Sequence, residues 1–175
     1  MFLVWLADLS RANAIAEAAG QGREALDYLE SLVVSVVDVA LAAQNAVVAL
    51  ESLGLGSVYI GAIRNQPEAV AAELGLPPLV LPVFGLCVGH ADLTKPGQVK
   101  PRLPQAAVLH RETYSTAQEA AVSAYDETLG DFQRSQDLPT TGWKQTVVNR
   151  VSNVRMLHGR ERLREALQTF GFRLS

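Results

Sequence analysis

From Val33 to Leu53 the chain reads "VVSVVDVALAAQNAVVALESL", with no proline and no glycine. A helix of that length spans about 30 Å. Its faces are apolar almost all round; the exceptions are Ser35, Asp38, Gln44, Asn45, Glu51 and Ser52. Asp38 and the Gln44–Asn45 pair fall near the middle, where lipid would leave them without water, and this argues against a membrane span. Alanines at 40, 42, 43, 46 and 49 make the helix slim and suited to close packing on several sides. A chain of 175 residues has little else to cover such a helix. A second copy of the chain is the expected cover, which makes a homodimer.

The remaining composition narrows the class. With 49% hydrophobic and 19% charged residues the chain can build a real core. A net charge of −3 gives no positive field for nucleic acid or an anionic membrane surface. One cysteine, Cys87, rules out a disulfide framework within the chain and fits a reducing cytoplasm. The opening "MFLVWLAD" lacks a basic region and meets Asp8 early, so it reads as a buried strand and not a signal peptide. Termini are normally polar, so an opening this apolar reads as the inside of a larger domain.

Strands are expected over 2–7, "SVYI" and 78–89, where Pro82 marks an edge or a bulge. Helices are expected over 9–19, 21–31, 33–53 and from Pro67 to Leu74, the last capped by Asn65 and stopped by Gly75. Residues 90–105 read as a proline-rich loop, and "AVLH" (107–110) as a further short strand. Ser115 to Gln118 reads as a capping box opening a helix to about Gln133. Residues 144–157 and 160–169 close the chain as helices. The class is α+β, a small mixed sheet flanked by helices around a long central helix, in a single domain whose residues 111–175 form a helical C-terminal extension.

Chemistry-bearing patterns are few. His90, His110 and His158 stand far apart without ligand spacing, and one cysteine does not make a zinc site. No G-x-S-x-G elbow, P-loop or G-x-G-x-x-G helix opening occurs. Lys100 and Arg102 sit among prolines that stiffen their loop, which suits either a phosphate or two solvated charges. Tyr59 can stack on a ligand ring or serve as half-buried core. Seven of the fifteen Lys and Arg residues fall between Lys144 and Arg173, interleaved with Glu161 and Glu165, as on a solvated helix face. The stretch "GLGSVYIGAIRN" (54–65) brackets one short strand with three glycines, as where backbone turns sharply or lies against something flat.

Taken together, "VVDVALAAQNAVVALESLGLGSVYIGAIRNQPEAVAAELGLP", "VLPVFGLCVG" and "KPRLP" resemble the nitroreductase family, in its oxygen-insensitive NADPH nitroreductase and NADPH-flavin oxidoreductase branch. The resemblance runs from about residue 2 to the C-terminus. It implies an FMN enzyme that takes hydride from NADPH and passes it to a nitroaromatic, quinone or free flavin, with no side chain needed as acid or base. It implies that Tyr59, Ile60, Gly61 and Ala62 pass beside the flavin ring, and that Lys100 and Arg102 hold its phosphate. Arg134 falls where this branch places an arginine for the NADPH 2′-phosphate, though a helix-end arginine has the same look. The central helix matches the one packed in the family's homodimer, with FMN between subunits, and the C-terminal helices match an extension around the partner.

Two departures accompany the resemblance. The branch has Y-I-G-G where this chain has Ala62, a residue poorly suited to positive φ. The family also begins with a helix carrying H-R-S-x-R and a serine-rich segment for the flavin, and nothing like them stands before Met1. The expectation is a chain that lacks this segment and binds FMN poorly. The alternative to the enzyme is a non-catalytic dimer of the same fold with weak or no flavin.

Overall fold

The computed structural model describes residues 1–94 and 97–175. Of the proline-rich loop expected over 90–105, Lys95 and Pro96 lie outside the described residues. The chain divides into two compact units, residues 1–93 with 157–175, and residues 94–156.

The first unit is built on three strands, β1 (Phe2–Asp8), β2 (Gly56–Ile60) and β3 (Val80–Gly89), in the order β1-β3-β2. Both ladders are antiparallel, so the sheet is not mixed as expected. Pro82 was assigned to an edge or a bulge, and the bulge is what forms. Trp5 pairs with Phe84 and Leu6 with Pro82, which leaves Val83 as the extra residue on β3, the central strand. An extra residue flips the alternation of side chains. Leu81 ahead of the bulge, Val83 at it, and Leu86 and Val88 after it therefore all enter the core.

That core is closed by the long helix α2 (Leu29–Ser52). Leu32, Val36 and Val39 pack with Leu81, Val83, Leu167 and Phe172, while Val47 and Leu50 pack with Leu86, Val88 and Trp5. The remaining helices of the unit are α1 (Ser10–Ala18) and α3 (Pro67–Leu74), with α6 (Leu163–Thr169) returning from the end of the chain. Labels α4 and α5 belong to the second unit.

Several local expectations are corrected. Residues 21–31 do not form a helix of their own. Glu24–Asp27 is a 3-10 turn, Tyr28 is extended, and Leu29 already opens α2. Asn65 does not cap α3, because it is consumed by the 3-10 turn Gly61–Asn65. Gln66 takes the cap position, Pro67 opens the helix, and Gly75 closes it in the left-handed conformation. α2 is not buried on all faces within the chain. Leu29, Val33, Val37, Leu41 and Val48, spaced by four and seven residues, form an exposed stripe, with Val34 beside them. By length and composition alone α2 could cross a membrane, with a mean hydropathy of 1.9 and 17% of that stretch buried.

The second unit pairs α4 (Glu119–Ser135) with α5 (Gly142–Val151). The joint is made by side chains of α4. Asp126 Oδ1 accepts from the amides of Trp143 (2.6 Å) and Lys144 (2.7 Å), and Gln133 Oε1 from those of Thr141 and Gly142. These satisfy amides that a helix start leaves open. Residues 107–110 are not a strand. Gln105–Ala107 is a 3-10 turn, and among the described residues of this unit there is no strand for Val108 and Leu109 to pair with. The Ser115 hydroxyl accepts from Ala117 two residues on, making a local turn, and α4 opens only at Glu119.

Candidate functional site

The first unit carries an open groove of about 1020 Å³ on the side of the sheet away from α2. Its floor is formed by Phe2 and Val4 of β1 and Ile60 of β2. Val4 and Ile60 both lie opposite Gly85, so the three share one face. Gly85 leaves room there, since a Cβ at this position would strike the ring of Phe2, which itself lines the groove. One wall is the turn after β2, with Ala62 and Ile63, and the inner side of α3, with Ala69 and Val70. The bend at His158 and Gly159, both left-handed, with φ of 53° and 92°, also lines the groove. Gly159 is required there: a side chain would come within 2.8 Å of the Asn65 carbonyl oxygen.

Polar lining comes from Asn65, Gln66, Glu73, His158, Glu161 and Arg162, with Arg64 and Glu68 outside the lining. Glu68 and Arg162 pair at 2.7 Å. Asn65 Oδ1 is buried and has no hydrogen-bond partner among the described residues. Arg64 donates from Nη1 to the carbonyl of Val83, the residue that the bulge takes out of both ladders. Burial pulls the Arg64 guanidinium below its ordinary pKa, and the neighbouring charge of Arg160 pulls in the same direction.

The residues expected at a flavin ring separate here. Ile60 and Ala62 line the groove and Gly61 lies between them. Tyr59 does not line it. Alternation turns it to the other face, where it meets Phe84 edge-on at 5.3 Å and stays 43% exposed. Ala62 has no positive φ, so the glycine-to-alanine departure carries no strain. Lys100 and Arg102 lie in the second unit, exposed on irregular chain; Arg102 bonds the Lys100 carbonyl at 3.0 Å, and neither makes an ion pair among the described residues. Arg134 is in the last turn of α4, paired with Asp131, and not in the loop that follows.

Phe2, Val4, Gly85, His158 and Gly159 were not singled out from sequence as site residues. They come together only through strand pairing and the return of the chain's end, and no local pattern announces that. Arg64 did carry a signal, a lone cation after "VYIGAI".

Profiles of known families match both parts of the chain: the nitroreductase family over residues 15–90, and the nitroreductase family C-terminal domain over residues 100–175. An FMN reductase [NAD(P)H] of Bacillus subtilis is 37% identical, with 99% of this chain and 70% of that protein aligned. This chain belongs to the nitroreductase family. A second Bacillus subtilis relative, an FMN reductase (NADPH), is 42% identical over 85% of this chain and 61% of its own length. An oxygen-insensitive NADPH nitroreductase of Salmonella typhimurium is 45% identical over 75% of this chain and 52% of its own. Among solved structures, Bacillus megaterium NfrA2 superposes with a TM-score of 0.91 at 37% identity, covering 99% of this chain and 69% of that one. The NADPH:FMN oxidoreductase of Vibrio harveyi complexed with NAD+ superposes at 0.82 with 31% identity, covering 98% and 67%. The chain thus spans between about half and 70% of the length of these relatives.

An FMN ring is a flat, mostly apolar body with a polar edge. A groove of this size, floored by Phe2, Val4 and Ile60, has the shape and lining for it. Lys100 and Arg102 in "KPRLP" make no ion pair among the described residues and have the chemistry for a phosphate dianion. The groove by itself therefore fits the ring, and Lys100 and Arg102 by themselves have the charge for the phosphate.

Proposed function

We propose that this nitroreductase-family chain is an FMN-dependent NAD(P)H oxidoreductase that acts as a homodimer on small aromatic acceptors: nitroaromatics, quinones or free flavin. The groove carries the reading. It brings Ile60 and Ala62, two of the residues that the resemblance puts beside the flavin, to the floor and wall of an apolar cleft.

FMN, when bound, supplies the two-electron chemistry, accepting hydride from a nicotinamide and releasing it to the acceptor in alternation. The chain's residues bind and orient. Ile60 and the Gly61–Ala62 backbone bear on the ring, with Tyr59 supporting the strand from behind. Lys100 and Arg102 hold the ribityl phosphate as charge-assisted partners. Arg134 receives the 2′-phosphate of NADPH, and its exposed pairing with Asp131 is weak enough to yield. The exposed stripe of α2 meets the same stripe of a second copy, in the self-complementary manner of a two-fold dimer.

The test is direct. The purified protein is titrated with FMN by fluorescence and then mixed with NADPH without oxygen. A saturable yellow complex that bleaches with NADPH and recovers with a quinone supports the reading. A protein that neither quenches flavin fluorescence nor oxidises NADPH overturns it.

A further inference from the structure

Arg64 has surroundings that are costly for a cation. It is half-buried at the end of the Gly61–Asn65 turn, and its Nη2 lies 3.6 Å from where a Gly61 side chain would start. Arg160 bears on it as a like charge, and among the described residues neither arginine has a carboxylate partner. The acids nearby are otherwise engaged or apart: Glu68 is held by Arg162, while Glu73 and Glu161 line the groove without pairing with Arg64. The Val83 carbonyl uses the geometry of Arg64 but does not neutralise it. A partly desolvated charge left unneutralised disfavours the fold unless something negative arrives.

We propose that Arg64 is a positioning residue whose charge, set behind the Gly61–Ala62 segment, favours the reduced form of bound flavin over the oxidised form. The inference rests on the function proposed above. Hydride transfer brings two electrons and one proton from NADPH to a neutral ring and leaves NADP+ and a ring with one negative charge. A fixed cation behind the segment that flanks the ring lowers the free energy of that product without having to touch it.

The experiment measures the two-electron midpoint potential of the FMN-loaded protein by dye-equilibrated titration, beside the affinity for oxidised FMN. Arg64→Gln is expected to weaken the preference for reduced flavin about tenfold, a fall of about 30 mV for a two-electron couple. Arg64→Lys keeps the charge and should stay near the parent value. Arg160→Glu sets a carboxylate beside Arg64 while leaving the Val83 bond in place, and should lower the potential as Arg64→Gln does; it decides the matter alone if Arg64→Gln does not fold. Unchanged potentials in both charge-altering variants, with FMN still bound, would make Arg64 a peg for Val83 and overturn the inference alone. A parent protein that binds no FMN would remove the proposed function and this inference with it.

Discussion

Replacing Leu41 by alanine should weaken self-association while leaving the fold intact. Leu41 is 66% exposed in the single chain and stands in the middle of the α2 stripe, outside both apolar clusters of the core. Fully burying a leucine is worth about 1.5–3 kcal/mol. Two-thirds of that, less what alanine retains, is about 1 kcal/mol per copy. A two-fold interface loses it twice, so the variant should lose about 2 kcal/mol of association. That corresponds to a roughly thirtyfold weaker dimer. Leu41→Lys adds the cost of desolvating an ammonium and should leave monomers at micromolar concentration. Sedimentation equilibrium over a concentration series gives the constants, and circular dichroism checks that each variant is folded. A folded Leu41→Lys protein with the parent's dimer constant would refute the reasoning, because the stripe would then not be the interface. A parent that stays monomeric at high micromolar concentration would refute it as well.

Three further outcomes follow from the geometry. Asp126→Ala strips the acceptor from two amides at the start of α5, and at about 1 kcal/mol per lost cap bond should lower the melting temperature by roughly 4–8 °C; no shift would mean that Gln133 alone holds the joint. Asp8 is held below its ordinary pKa, first by the Ser10 hydroxyl, with burial opposing it and the backbone amides of Ser10 and Arg11 and the Arg11 charge adding to it. Its contribution to stability is therefore present above about pH 4 and fades as pH falls through the lowered value. Asp8→Asn should be less stable than the parent at neutral pH and match it in acid, and parallel stability curves down to pH 3 would exclude this. The pair Lys100→Ala and Arg102→Ala should weaken FMN binding by at least a hundredfold, at about 1.5–3 kcal/mol per charge-assisted contact, with no change in melting temperature since both are exposed. Unaltered FMN affinity would move the phosphate elsewhere.

Local signals were legible wherever the physics is local. The unbroken run from Val33 announces α2, the apolar run before Gly89 announces β3, and Gly75 ends α3 because only a residue without a side chain takes the left-handed turn readily. The same reasoning failed where a neighbour competes for a residue. Asn65 has the chemistry of a cap, but the preceding turn uses it first. Ser115 has the spacing of a capping box, but its hydroxyl closes a tighter turn with Ala117. "AVLH" has strand composition but no strand beside it among the described residues, and a lone extended segment gains little.

The site was half legible for a different reason. "SVYIGAIRN" could be tied to a flat ligand by its glycines and its resemblance, but which side chain faces that ligand depends on register, and register belongs to the pair of strands. Pairing Ile60 with Gly85 puts Ile60 in the groove and turns Tyr59 away, although the tyrosine is the more suggestive residue on paper. The bulge at Val83 then does two things that no single segment encodes. It keeps both halves of β3 facing α2, and it releases a carbonyl that Arg64 must satisfy. A cation is thereby drawn out of water and fixed behind the Gly61–Ala62 segment. An interruption of the ladder that serves the core thus also sets the electrostatics of the groove wall, which is why the charge at Arg64 and the packing at Val83 should be tested by separate substitutions.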